Sequence, residues 1–297
     1  MPLDMLSLLL ISVPVGLLGS LTGLGGASIL VPVMVLFGVP VKAAIASGMV
    51  SIIATSSGSA AVYVKEEIAN VKVAMYLEMF TSVGAIAGAT ITTLIAPVFL
   101  YFFFALFLMT SFLRFKRSKG EGGDSTRAIA VADAPPGQAD APPAPASAPS
   151  GLIRRLDLRG SYYDAARRER VRYVATHPLL GGLGMGLAGL AAGMLGIGAG
   201  AFKVTVQENI LKLPSKMASA TSNFIVGMTA LAGTSVYLKS GLLNLTLAAP
   251  MAIGTTLGAI AGGRVLNRLP DRLLRALFIA VVVILIAQML YKGVTSL

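Results

Sequence analysis

Long apolar stretches, separated by short polar or prolyl turns, dominate this chain. A helix needs about 20 apolar residues, with a range of roughly 17 to 25, to cross a hydrocarbon core. On that measure residues 43–63, 73–95 and 97–114 form one set of predicted membrane helices, and residues 217–238, 243–263 and 273–291 a second. A different kind of element precedes each set. Residues 3–39 and 179–213 are apolar but too long for one helix, and glycines break each near its middle. The breaks are Gly23-Leu24-Gly25-Gly26 and Gly193-Met194-Leu195-Gly196-Ile197-Gly198-Ala199-Gly200. The pieces that follow, 27–39 and 201–213, would reach only about 20 Å as helices. They are predicted to be discontinuous or re-entrant.

The two sets are copies. Val62-Tyr63-Val64-Lys65 lies 174 positions before Val236-Tyr237-Leu238-Lys239, and Gly84-Ala85-Ile86-Ala87-Gly88 lies 174 before Gly258-Ala259-Ile260-Ala261-Gly262. Pro40 and Lys42 map to Pro214 and Lys216 in the same way. A repeat inside hydrophobic segments, each copy opening with a Gly-interrupted stretch, is the pattern of a secondary transporter whose site lies between the repeats. A duplicated bundle with no transport role is the plainer alternative. The predicted fold is therefore all-α and polytopic, with a first membrane repeat at 1–118, a connecting segment at 119–178 and a second membrane repeat at 179–297.

Composition agrees: 55% of residues are hydrophobic and 12% charged, with mean hydropathy +0.80, against roughly 25% charged in soluble domains. Charge collects in the connection, where Arg114 to His177 holds twelve Lys/Arg and seven Asp/Glu. The net charge of +11 thus reports this segment and the loop ends, and no nucleic-acid partner is expected. Residues 119–151 are rich in Ala, Pro, Gly and Ser and are predicted to be a disordered linker. Residues 152–174 carry Arg154, Arg155, Arg159, Arg167, Arg168, Arg170 and Arg172 among Leu156, Leu158, Tyr162, Tyr163 and Tyr173. This basic amphipathic stretch reads as a surface helix or hairpin on lipid headgroups, or equally as a solvated charge run.

The distribution of loop Lys/Arg selects a topology. With the Arg-rich linker in the cytoplasm, one placement of the second copy puts four loop cations inside and seven outside; the other gives eight inside and three outside. The second makes the copies inverted, with both termini outside. Met1 to Leu10 has no basic residue and so lacks the flank of a cleavable signal peptide. The expected location is a bacterial-type cell membrane.

No cysteine is present and His177 is the one histidine, which removes thiol chemistry and paired imidazole sites. An enzyme is not expected, nor any cofactor or metal. A helix interrupted within a membrane frees backbone groups that need partners, and short helices starting at Ala27 and Ala201 would aim positive dipole ends at the midplane, which suits an anion. The expected binding groups are Gly23, Gly25, Gly26, Ala27 and Ser28 in the first copy and Gly196, Gly198, Ala199 and Gly200 in the second. The alternative is that such glycines only permit close helix packing, as the spacing of Gly19 with Gly23, Gly84 with Gly88 and Gly189 with Gly193 also suggests.

Polar residues follow each break, with Ser47 mapping to Thr221, Gly48 to Ser222, Met49 to Asn223 and Thr55 to Thr229. Ser47, Thr221, Ser222 and Asn223 offer donors to an oxyanion, although Ser and Thr in helices often bond only their own backbone. Lys203 lies inside an apolar stretch just past the second break, where a charge is costly and by default functional. It would neutralise a bound anion, or else snorkel or pair with Glu208. Glu78, Gln207 and Glu208 are the candidates for ion coupling. The repeat partner of Glu78 is Ala252, so any role is asymmetric.

The run Gly19-Ser20-Leu21-Thr22-Gly23-Leu24-Gly25-Gly26-Ala27-Ser28-Ile29-Leu30-Val31-Pro32, then Gly38-Val39-Pro40, resembles the TauE/SafE family of sulfite and organosulfonate exporters. Gly196-Ile197-Gly198-Ala199-Gly200-Ala201-Phe202-Lys203-Val204 and Leu213-Pro214-Ser215-Lys216 carry the same pattern in the second copy. The resemblance covers both membrane halves and not the Pro/Ala linker. Ala27 and Ala199 stand where a third glycine is common in the family, and Val206 replaces the proline that Pro32 supplies in the first half. The resemblance implies export of small sulfur-containing anions such as sulfite, sulfoacetate or related sulfonates, coupled to a proton or sodium gradient. Carriage of small carboxylates, or an uncoupled anion channel, are the alternatives. A homodimer is compatible with all of these.

Overall fold

The computed structural model describes residues 4–22, 26–65, 70–117, 158–164, 169–266 and 271–295. Gly23, Gly25 and the linker expected at 119–151 lie outside the described residues. The first copy forms α1 (Met5–Thr22), α2 (Gly26–Leu36), α3 (Val41–Lys65), α4 (Val71–Leu94) and α5 (Pro97–Arg117). A hairpin of β1 (Arg159–Asp164) and β2 (Glu169–Val174) follows. The second copy forms α6 (Pro178–Leu195), α7 (Gly200–Asn209), α8 (Ser215–Lys239), α9 (Leu245–Leu266) and α10 (Asp271–Thr295).

Local chemistry sets the boundaries. Asn70 caps α4 by accepting from Val73 N at 3.1 Å, and Pro97 and Pro178 open α5 and α6, where a missing N–H costs nothing. After α2 the chain turns at Gly38 with φ +87°, and the position 174 residues on, Lys212, adopts φ +55° without being glycine. The structure is predominantly helical, and the expected all-α fold is modified by the hairpin. In β2 Arg170 and Arg172 alternate with Val171 and Tyr173, and Gly160 of β1 pairs with Tyr173 in antiparallel register. Leu158, Tyr173 and Ala175 are buried against Val73, Leu77, Val206 and Met217.

The helices sort into two interleaved groups and a peripheral pair. α1 and α3 pack with α9 of the second copy and with α2, while α6 and α8 pack with α4 of the first and with α7. Each copy thus lends one helix to the other. The groups meet where α3 crosses α8, and α5 packs with α10. Glycines permit the closest approaches: a Cβ on Gly84 or Gly88 would collide with the backbone at Gly186 or Leu190, and one on Gly258 with the backbone at Val13. These contacts advance together along both chains, so α4 runs parallel to α6, and α1 parallel to α9.

The same contacts adjust the repeat register. Gly189 lies on Thr81 and Gly16 on Thr255. Thr81 and Thr255 are 174 apart, but Gly16 and Gly189 are 173 apart. The constant offset read from the sequence therefore slips by one residue at the first helices.

Directions of equivalent helices differ. Ser56 lies against Gly227 and Met49 against Gly233, so residue numbers rise along α3 as they fall along α8. At one end of the molecule Lys42 Nζ donates to Thr93 O at 3.0 Å, and Thr90, Thr93, Ser235 and Lys239 line a shallow cavity of about 500 Å³. The hairpin occupies the other end, where Asn70 Nδ2 donates to Tyr173 OH at 2.8 Å and Thr176 N donates to Leu211 O at 3.0 Å. Exposed large apolar side chains, among them Met79, Val83, Leu94, Leu183, Leu187 and Ile284, cover the outward faces.

Candidate functional site

α2 and α7 have 11 and 10 residues, or about 15–17 Å of helix, half the thickness of a hydrocarbon core. Between α6 and α7 the chain runs through Gly196 at φ +65°, Gly198 at +71° and Ala199 at +48°. These left-handed conformations suit glycine, and Ala199 adopts one despite its Cβ. The first turn of α7 follows at once, with Lys203 N donating to Ala199 O at 3.0 Å. α2 and the second break share a neighbour: a Cβ on Gly48 would meet Val31 and Ala27 of α2 on one side and Gly196 O on the other.

Lys203 and Gln207 lie one turn apart on α7 and share a face. Both are fully buried. Lys203 Nζ donates to Thr229 Oγ1 of α8 at 2.7 Å. Thr229 Oγ1 lies 3.0 Å from Glu78 Oε2 of α4, which is 5% exposed. Helical spacing brings two more hydroxyls to the same carboxylate, with Thr81 Oγ1 donating to Oε2 at 2.8 Å and Ser82 Oγ donating to Oε1. Thr229 thus stands between a buried ammonium and a buried carboxylate. Beside them both amide atoms of Gln207 are buried without a hydrogen-bond partner, an expensive arrangement for a group able to donate and accept.

The other expected residues divide. Ala27 and Ser28 are buried at the start of α2. The Ser47 hydroxyl is buried next to the Gly48 crossing and has no partner. Ser222 Oγ donates to Gly200 O at 3.3 Å and so braces the second break. Thr221 accepts from Asn70 N at 3.4 Å, which ties α8 to the start of α4. Asn223 spends its amide on Ser219 O of its own helix at 3.1 Å, and Glu208 is half-buried at the end of α7. Lys203 is not the snorkelling residue or Glu208 partner that one reading allowed, because its hydrogen bond leads through Thr229 towards Glu78. Sequence reasoning also passed over Thr229 itself. Its pairing with Thr55 in the repeat was visible, but its position between two charges belongs to the packing.

The chain matches the family described as Sulfite exporter TauE/SafE over residues 8–289. It belongs to the TauE/SafE family. It is also similar to a probable membrane transporter protein, YunE, of Bacillus subtilis (strain 168), with 22% identity over 293 residues that cover 95% of each chain. No solved structure matches it. Membership in TauE/SafE makes the chain a membrane transporter protein, which accounts for apolar outward faces that water would penalise. Within this TauE/SafE protein, the Lys203 ammonium has three donors and the structure commits one of them, to Thr229. The remaining donors and the Gln207 amide can hold an oxyanion without any covalent step.

Proposed function

We propose that this protein is a secondary carrier of small sulfur-containing anions such as sulfite, sulfoacetate or related sulfonates. The anion docks on Lys203 and Gln207, with the backbone and hydroxyls around the two breaks, Ala27, Ser28, Ser47, Gly198, Ala199, Gly200 and Ser222, forming its approach. The observation that carries this reading is the fully buried Lys203 beside the unpartnered Gln207 on a half-length helix that starts at a glycine break. A charge is retained in an apolar interior when function requires it, and an amide that can donate alongside an ammonium suits a tetrahedral or pyramidal oxyanion. The family description favours sulfite among such anions.

Transport proceeds by alternating access between inverted repeats. Support comes from the opposite directions of α3 and α8, and from the placement of Lys42 and Lys239 at one end with the hairpin at the other. That arrangement agrees with the topology of eight loop cations inside and three outside, with the linker cytoplasmic and both termini outside. Counterflow of labelled sulfite into proteoliposomes tests the reading, with unlabelled sulfoacetate and acetate as competitors. Saturable exchange inhibited by sulfoacetate supports it. Exchange blocked by acetate alone would assign a carboxylate carrier, and flux without saturation or exchange would assign a channel.

A further inference from the structure

We infer that Glu78 is the proton-binding site of this carrier: an anion docking on Lys203 takes the place of Glu78 as the charge partner of the ammonium, and Glu78 then binds a proton. This rests on the docking site proposed above. Before the anion arrives, the buried group holds one ammonium and one carboxylate and is neutral. An added anion leaves one negative charge in excess in an interior that does not solvate it. Glu78 can remove that excess, because the ammonium no longer needs it.

The hydrogen bonds around Glu78 accommodate both protonation states. As a carboxylate it accepts from Thr81, Ser82 and Thr229. Two of these hydroxyls have a second acceptor in reach on their own helices. Thr229 Oγ1 lies 2.7 Å from Ile225 O, and Thr81 Oγ1 lies 3.2 Å from Glu78 O. When Glu78 carries a proton, Thr229 turns its own hydrogen to Ile225 O and accepts from the new carboxyl O–H. No polar group is stranded in either state, and one rotation of the Thr229 hydroxyl separates them. Such a relay reports at Glu78 what happens at Lys203, although the two do not have to touch.

Competing titratable groups are few. α6, packed along α4, carries none. α8 has Lys216, Tyr237 and Lys239, all near its ends, and α7 has Lys203 and the half-buried Glu208. On α4 itself Lys72 and Tyr76 lie towards the start, and α3 carries Lys42, Tyr63 and Lys65 near its ends. The equivalent positions in the other group of helices are Ile29 and Ala252. One proton per chain therefore accompanies one anion, and both cross in the same direction.

Infrared difference spectroscopy of the full-length protein reads the carboxyl directly. Methanesulfonate is the probe, because it does not itself titrate near neutral pH, and labelled sulfite in a parallel sample establishes binding. The expected result at neutral pH is a protonated-carboxyl band that appears on adding methanesulfonate and is missing in Glu78→Gln. Binding of the anion with no such band overturns the inference while leaving the carrier reading intact. Absence of binding by either anion removes the carrier reading instead. The inference then stands or falls on an anion-free comparison: Lys203→Met, which deletes the ammonium, should show Glu78 protonated at neutral pH, and an ionised Glu78 there overturns it. Lys203→Gln, which also deletes the ammonium, serves the same purpose if Lys203→Met does not fold.

Discussion

The two groups of helices share a frame and differ in chemistry. α6, α7, α8 and α4 enclose Lys203, Gln207, Thr229 and Glu78; at the matching places α1, α2, α3 and α9 offer Ile29, Val33, Thr55 and Ala252. Thr55, like Thr229, bonds a carbonyl of its own helix, Ser51 O at 3.0 Å, but the positions that match Lys203 and Glu78 are the uncharged Ile29 and Ala252. The small-residue contacts recur on both sides, with Gly84 and Gly189 in one group answered by Gly258 and Gly16 in the other. The duplicated pattern therefore specifies how helices approach, and a few substitutions give the two groups their different chemistry. On the proposed reading, that asymmetry leaves one anion site instead of two.

The sharpest way to break this comparison is to move the charge. Ile29→Lys places an ammonium where no carboxylate answers it and should lower stability by about 2.5–3.5 kcal/mol, read as a fall in melting temperature of the detergent-solubilised protein. Adding Ala252→Glu should restore at least about 1 kcal/mol, and a double variant no better than the single one would mean that the surroundings, not the missing partner, set the asymmetry. The shared frame predicts the opposite behaviour for the packing glycines. Gly84→Val and Gly258→Val should each cost about 1–3 kcal/mol or more and by similar amounts, since both Cβ atoms would strike backbone. A large difference between them would show that the two groups are not packed alike.

Smaller effects refine the contrast. Thr229→Val should cost about 1–3 kcal/mol because it leaves the buried Lys203 ammonium without its hydrogen bond, whereas Thr55→Val should change stability by less than about 0.5 kcal/mol. Tyr173→Phe removes the hydrogen bond from Asn70 and should cost about 0.5–1.5 kcal/mol, a measure of how firmly the hairpin holds its end of the molecule. Deleting residues 125–148 should leave counterflow unchanged, and loss of flux would give the linker a role beyond tethering.

Much of the frame was legible because hydrophobic run length and small-residue spacing are local signals. Helix spans, the paired short helices and the repeat all follow from them. Exchange of α4 and α9 between the groups was not legible, since an apolar helix face does not name its neighbour. The one-residue slip between α1 and α6 was hidden as well, because the offset was anchored on later helices and a glycine-rich break absorbs a slip without changing its appearance. At the site, Lys203 stood out as a lone cation in an apolar stretch. Glu78 was noticed for the same reason, yet their connection was not, because the residue that joins them, Thr229, is one hydroxyl among many. Asn223 drew attention as a polar amide in a membrane helix, but backbone carbonyls of the preceding turn are always in reach of such a side chain. The basic stretch is compatible in sequence with a surface helix, a hairpin or a solvated charge run; the antiparallel pairing of β1 with β2 makes it a hairpin, and Tyr173 and Leu158 bury it against α4, α7 and α8.

The central claim is one anion site per chain, centred on Lys203. Equilibrium binding of labelled sulfite to the purified protein and to Lys203→Met tests it most directly. The account predicts saturation at one sulfite per chain in the wild type and at least a tenfold loss of affinity in the variant, since a charge-assisted hydrogen bond is worth about 1.5–3 kcal/mol. Two equivalent sites per chain, or unchanged affinity in a folded Lys203→Met protein, would contradict it.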